Sequence, residues 1–434
     1  MGTSRRAEPK CSPITSIGSL LEIGAFCALL TAPAYAEEGT GSDGLAEDAA
    51  DYSEWHYHGR VRINTSAISG AAGAGITQNL TDFPLLVRFD AANFDFRLAN
   101  ADGSDIGFAD AAGTTPLPYE IAEWNADAHR AAIWVLVPTI YGDSVDQYIT
   151  VHFGNADVTG DSSNPTAVFP STAGFLGVWH LDENPNGTGA EHVYKDASAN
   201  GYHGTDYVGA TDTQGIAGRA QDLRGNNDYV EIPGFPDNAP PRITISAWAK
   251  LDTQSGLGCL VSKNGANMST GFALARDADT KPAFHATVGG AKKSAVAYFA
   301  ATPGVWTFLA GTFDGSTLRL YVDGEMVGST PAGGSIGNTG ANNLRIGINS
   351  AASTNALNGI IDEVRVSGIA RSADWIRLCH ANQQPGASIL SFEGVPKPVK
   401  PGPLDYDESQ LVYYVKEPIA ANRCSNSGGT AENY

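Results

Sequence analysis

At 434 residues the chain has room for roughly three domains, and its 42% hydrophobic content can fill sizeable cores. Fifty glycines, few methionines and modest charge point to many short strands joined by turns. A formal net charge of -20 argues against a nucleic-acid partner, because neutralising phosphates requires clustered Lys and Arg.

Residues 1–36 read as a secretory signal. Arg5, Arg6 and Lys10 precede an apolar run from Ile14 to Leu30, and Ala34-Tyr35-Ala36 offers small residues at the cleavage positions. The expectation is an exported protein, periplasmic, at the cell surface or secreted. Glu22 interrupts the apolar run, so a short anchor that stays attached is the alternative. Ser4-Arg5-Arg6 opens like a twin-arginine signal but lacks the apolar residues that follow one. No other stretch is long and apolar enough to span a bilayer. After cleavage Cys259, Cys379 and Cys424 remain, which is neither a disulfide framework nor a zinc knuckle. Cys259 and Cys379 are expected as two separate buried thiols, with a bridge between them as the alternative in an exported chain.

Residues 37–54 are acidic and free of basic residues and read as a disordered linker. From Trp55 onward short strand-like runs alternate with turn residues: Arg60 to Asn64, Pro84 to Phe89, Ile106 to Asp110, Tyr119 to Trp124, Ala131 to Val137 and Gln147 to Phe153. In the last, Ile149, Val151 and Phe153 share a face, as period-two burial requires. An all-β sandwich follows, with Trp124 and Trp134 as core aromatics. His56 and His58 alternate and could face one side to hold a metal, although a solvated strand face is the plainer reading.

The runs W-H-Y-H-G-R-V-R-I, D-F-P-L-L-V-R-F, D-I-G-F-A-D, L-P-Y-E-I-A-E-W, A-A-I-W-V-L-V-P and V-H-F-G-N-A-D, in that order, carry a resemblance over 55–167 to the domain of unknown function DUF2341. That resemblance implies β structure and association with other extracellular modules, and no established chemistry.

Residues 168–392 carry a second series. It runs from Val178-Trp179-His180-Leu181-Asp182-Glu183 through Asp196 to Gly204, Asn227 to Ile232, I-T-I-S-A-W-A-K from Ile243, and G-I-I-D-E-V-R-V from Gly359. Between the last two lies a meander, Trp306 to Ser329, whose Asp314-Gly315 and Asp323-Gly324 supply tight hairpin turns. Its Leu318, Leu320 and Val322 fall on one face, leaving Arg319 and Tyr321 on a face open to water or a ligand. The series is similar to laminin-G-like, concanavalin A-like (LamG) jelly rolls, which implies two antiparallel sheets packed face to face. The expected class is therefore all-β: two β-sandwich domains, the second a concanavalin A-like jelly roll, with flexible terminal segments. Ser372 caps a short helix with Trp375, Leu378, Cys379 and Asn382 on one stripe, packed on the sandwich end. Residues 393–434 read as a Pro-rich linker and a loose tail.

The jelly-roll resemblance implies a Ca²⁺ near one edge of the sandwich. Asp182, Asp228 and Asp362, each at the end of a strand run, are its candidate ligands. The bland alternatives are turns built by Asp196 with Ser198 and Asn200, and pairing of Asp362 with Arg365. Asp182-Glu183 and Asp362-Glu363 are adjacent pairs and lack the alternate spacing of a retaining glycosidase, so no enzyme is expected. His180, His203 and His285 are isolated and read as structural or exposed. Tyr229, Phe284, Tyr298 and Tyr321 are the candidates for stacking on a sugar, each with a core or ordinary surface role as the alternative. The leading reading is an exported non-catalytic protein that binds a glycan or protein, with the Ca²⁺ that the jelly-roll resemblance implies as its candidate structural ion. The alternatives are an accessory subunit of a TonB/ExbB-type biopolymer transport assembly, with ExbB/TolQ-like membrane partners, and a glycosidase.

Overall fold

The computed structural model describes residues 52–398, apart from 68–72, 159, 161, 186, 210–212, 226, 253–256, 340–341 and 353. The signal expected at 1–36, most of the acidic linker, Cys424 and the tail beyond Pro398 lie outside the described residues.

The first lobe follows the alternation in the sequence. Its strands are β1 (Tyr57–Ile63), β2 (Leu80–Asp90), β3 (Ile106–Ala109), β4 (Tyr119–Asn125), β5 (Arg130–Ile140) and β6 (Gln147–Phe153). Along β6, Ile149, Val151 and Phe153 are buried while Thr150 and His152 are half-exposed, so one face packs inward and the other faces out. The sheet β2-β5-β4 packs against a second sheet of β1, β6 and β3. A short helix α1 (Pro165–Val168), capped by Asn164, leads into the second lobe.

That lobe contains β7 (Phe175–Trp179), β8 (Thr205–Tyr207), β9 (Thr213–Gln214), β10 (Arg219–Arg224), β11 (Tyr229–Ile232), β12 (Ile243–Leu251), β13 (Gly258–Asn264) and β14 (Gly271–Arg276). It continues with β15 (Pro282–Val288), β16 (Ala291–Val296), β17 (Trp306–Phe313), β18 (Thr317–Val322), β19 (Glu325–Pro331), β20 (Leu344–Ile346) and β21 (Asn358–Ser367). An eight-stranded sheet, β19-β18-β17-β12-β21-β10-β9 with β7 also on β21, faces a seven-stranded sheet, β16-β15-β14-β13-β20-β11-β8. Ile243, Ile245, Leu309, Leu318 and Leu320 from one sheet meet Phe272, Leu274 and Phe284 from the other in a single core. Gly311 is required there, because a Cβ on it would lie 2.3 Å from the Phe284 ring.

The meander forms as the two Asp-Gly turns direct. Asp323 and Gly324 both take positive φ (49° and 83°), and the Asp314 carboxylate accepts the Ser316 and Thr317 N–H groups at 2.8 and 2.9 Å. Its second face is covered at Tyr321, contrary to the expectation, while the Arg319 side chain stays 32% exposed. Tyr321 is 3% exposed, because the helix α2 (Ala373–Gln383) and the first lobe cover the outer face of the eight-stranded sheet. Trp248 and Phe308, also outward from that sheet, lie against His380 of α2, and Trp375 lies edge-on to Phe83 of β2. One hydrophobic cluster therefore runs from the first lobe through α2 to the second lobe, and all described residues fall in one compact unit.

The chain then returns to the first lobe. A last strand, β22 (Leu390–Glu393), pairs with β1 and completes the sheet β22-β1-β6-β3. The boundary expected at 392 thus cuts a strand of the first lobe, since α2 delivers the chain beside β1, whose second edge needs a partner. Ser372 accepts the Trp375 N–H as the predicted cap, and the stripe of Trp375, Leu378, Cys379 and Asn382 is buried. Cys259 and Cys379 are free thiols, the first on the seven-stranded sheet and the second on α2, beyond the other sheet. Burial pushes them up to about 12 and about 11, respectively.

Candidate functional site

The three carboxylates predicted for Ca²⁺ do not form one site. Asp362 is fully buried and accepts backbone N–H groups of Ile216 (2.5 Å) and Glu363 (2.8 Å). Asp228 accepts those of Gly209 and Arg224 at 3.1 and 3.0 Å, shaping the chain between β10 and β11. Asp182 is half-buried beyond β7, beside the turn at Gly218. Among the described residues no group of three or more His, Cys, Asp or Glu is placed to hold a metal ion. The turn alternative holds for Asp196, which accepts from Val178, Ser198 and Tyr202.

The four predicted stacking rings are also scattered. Phe284 is in the sandwich core, its stated alternative, and Tyr321 lies under α2, so neither can meet a ligand; alternation put Tyr321 on the second face of its strand without saying whether that face is covered. Tyr229 lies on the outer face of the seven-stranded sheet, stacked on Tyr207 at 4.6 Å with the Arg345 guanidinium 4.8 Å above its ring. Tyr298 is 82% exposed beyond the opposite edge strand of that sheet.

Two other constellations emerge. The first is a closed polar joint between the lobes. Glu363 adopts φ 50° at a bulge of β21, which turns its carboxylate outward from the second lobe. There Glu363 accepts from His180 Nδ1 at 2.8 Å and from Arg365 at 2.9 Å, while His180 Nε2 donates to Glu120 of β4 at 3.1 Å. Trp134 of β5 stacks on His180 (6.0 Å, 19°) and carries the Arg365 guanidinium at 4.2 Å. The Asp362–Arg365 pair expected as an alternative is therefore replaced by Glu363–Arg365. Nearby, Arg88 of β2 donates to the carbonyls of Ile216, Asn382 and Gln383, and burial lowers its pKa to about 10.

Burial opposes the charge on His180, but Glu363 and Glu120 outweigh it and hold the imidazole well above its ordinary 6.5. Burial, reinforced by Asp182, pushes Glu183 up to about 7, and burial likewise raises Asp182 and Asp362. Against its own burial, His180 and Arg365 hold Glu363 below its usual range. His180 thus contributes stability that is complete below its unfolded value of 6.5 and is lost as pH rises beyond it. Glu183 adds a loss between its ordinary 4.5 and about 7, because it is favoured protonated in the folded chain. Glu363 acts oppositely, losing its contribution as pH falls below 4.5. The melting temperature of Glu183→Gln should therefore gain on that of the parent as pH rises from 4.5 to about 7. A difference between the two that does not change with pH would contradict this arrangement.

The second constellation is open. On the outer face of β22-β1-β6-β3 a groove of about 730 Å³ is bordered by Tyr52, Trp55, His58, Arg60, His152 and Glu393, among others. His58 and His152 are cross-strand partners with rings 6.2 Å apart. Tyr52 lies flat on His152 at 4.0 Å and 7°, with Trp55 edge-on to Tyr52 at 5.3 Å. Tyr52 donates to the Phe108 carbonyl, and Gly107 leaves space for its ring, which a Cβ there would approach to 2.9 Å. The His56–His58 alternation was the legible signal for this face. Tyr52 was hidden in the expected linker, and His152 joins only through the register of β1 on β6.

The fold and its sites define a two-sandwich β protein whose lobes are fixed face to face by a buried polar joint. The chain carries a DUF2341 domain, a domain of unknown function, matched over residues 102–181, followed by a domain of the concanavalin A-like lectin/glucanases superfamily, matched over 224–377. The first match runs on through β7, so it contains both Glu120 and His180. Among curated proteins none matches the chain. Similar solved structures include the botulinum neurotoxin serotype G binding domain, at 13% identity and TM-score 0.36, covering 48% of this chain and 50% of that one. Another is domain 4 of a GH43 extracellular arabinanase from Geobacillus stearothermophilus in complex with arabinotriose, at 19% identity and TM-score 0.38, covering 49% and 98%. A third is the botulinum neurotoxin serotype D ligand binding domain in complex with N-acetylneuraminic acid, at 13% identity and TM-score 0.37, covering 48% and 51%. The chain spans about half the length of the toxin domains it matches.

Proposed function

We propose that this is an exported, non-catalytic binding protein for an extracellular or periplasmic glycan or protein. The observation that carries the reading is where the acidic side chains lie. Of the two acidic pairs weighed for a hydrolase, Asp362 closes on backbone N–H groups and Glu363 on His180 and Arg365. In the other pair Glu183 accepts from the Lys195 N–H and lies beside Asp182, without a facing carboxylate across an open cleft among the described residues. A glycosidase needs two carboxyl groups facing an open cleft, roughly 5–10 Å apart. What stays open is an aromatic and polar groove, the usual composition of a binding surface. Incubating the purified protein on a glycan array, and with the same polymers in solution, tests this. Retention on the array without release of reducing sugar is expected; sugar release abolished by Glu363→Gln would contradict it. The scattered positions of Asp182, Asp228 and Asp362 further predict retention that a chelator does not change.

A further inference from the structure

Resting on the binding role proposed above, we infer that the ligand seat is the groove on the outer face of β22-β1-β6-β3, in the first lobe, and that its occupant is a carbohydrate chain stacked on Tyr52 and Trp55. The concanavalin-like lobe offers little competing room. Its eight-stranded sheet is covered on the outside around Trp248, Phe308 and Tyr321 by the first lobe and α2. On its seven-stranded sheet the exposed Tyr298 and the Tyr207–Tyr229 stack stand at opposite edges.

The groove suits a sugar in size and in chemistry. Its volume of about 730 Å³ lies within the roughly 300–1,000 Å³ of small-ligand sites, whereas a protein partner needs about 800 Å² of surface. A pyranose or furanose ring presents an apolar C–H face and a rim of hydroxyls that both donate and accept. Tyr52 and Trp55 supply half-exposed rings for the first. The rim meets Arg60, a donor, and Glu393, an acceptor, which are cross-strand partners on β1 and β22. Between them Thr150, whose hydroxyl donates to the Ala109 and Asp110 carbonyls, can accept, and the facing His58 and His152 rings line the groove beside it. Burial beneath Tyr52, with His58 alongside, lowers His152 to about 4, so at neutral pH its imidazole is uncharged and has one donor and one acceptor. Tyr52 is fixed by its bond to the Phe108 carbonyl and its stacking on His152, so that ring is preorganised.

The test is calorimetric titration of the full chain with soluble cello-, xylo-, arabino- and chito-oligosaccharides and oligogalacturonate. Binding of at least one is expected. Trp55→Ala should weaken it by about tenfold or more, while Tyr229→Ala and Tyr298→Ala stay within about twofold of the parent. Circular dichroism of each variant separates lost binding from lost folding. If a sugar binds and Tyr229→Ala, not Trp55→Ala, removes it, the seat is overturned and the binding role stands. If no sugar binds at millimolar concentration, the carbohydrate occupant is overturned; a protein partner lost on Trp55→Ala would then leave only the binding role.

Discussion

Replacing Glu363 by alanine should lower the unfolding free energy by about 3–5 kcal/mol, the usual result of removing one member of a buried ion pair. Its carboxylate is 1% exposed and bridges two cations, His180 at 2.8 Å and Arg365 at 2.9 Å. In Glu363→Ala the Arg365 guanidinium keeps only the ring faces of Trp134 and Phe169 beneath it, and His180 keeps Glu120 alone. The loss should show as a lower urea midpoint, with Glu363→Gln falling between variant and parent because it retains shape and an acceptor. The same change should weaken the raised pKa of His180 and flatten the fall of stability above pH 6.5. A Glu363→Ala protein with an unchanged midpoint would mean that the joint does not hold the lobes.

Asn382→Ala should be nearly as costly for a different reason. β2 is an edge strand of the sheet β2-β5-β4, and the Leu86 N–H and C=O that point away from β5 have no strand to meet. The Asn382 side chain accepts from that N–H at 2.7 Å and donates to that C=O at 3.0 Å, so α2 acts as a substitute edge partner. Leu86 is 1% exposed, and water cannot replace the lost contacts. Leaving one buried donor and one buried acceptor unmade should cost about 2–5 kcal/mol together. Asn382→Leu, which restores bulk without polar atoms, should not recover it. Amide exchange at Leu86 should quicken in both variants, and an unaltered rate would contradict this role.

Much of the fold is legible in the sequence because period-two burial and turn chemistry are local. The run 147–153 alternates as a half-buried strand must, and the Asp314-Gly315 and Asp323-Gly324 turns make the hairpins that they predict. The Ser372 cap and the stripe of α2 are local too. What alternation cannot say is what lies over a strand's second face. Tyr321 looks like a solvated residue until α2 and the first lobe cover it, and Phe284 and Leu274 occupy equivalent inward positions although only one was considered for a ligand. The site was harder still. Glu120, His180 and Glu363 meet across 60 and 183 positions of sequence, and the His58–His152 pair depends on the register of two strands far apart in the chain. Asp182, Asp228 and Asp362 shared a type and a position at strand ends, but those ends point to different parts of the molecule.

The most direct test of the account is hydrogen exchange by mass spectrometry on the full chain, with and without a saturating oligosaccharide from the titrations. Protection is predicted in residues 52–60 and along β6, around Thr150 and His152, with the concanavalin-like lobe unchanged. Protection confined to β8 and β11, around Tyr207 and Tyr229, would contradict it and place the ligand on the other lobe.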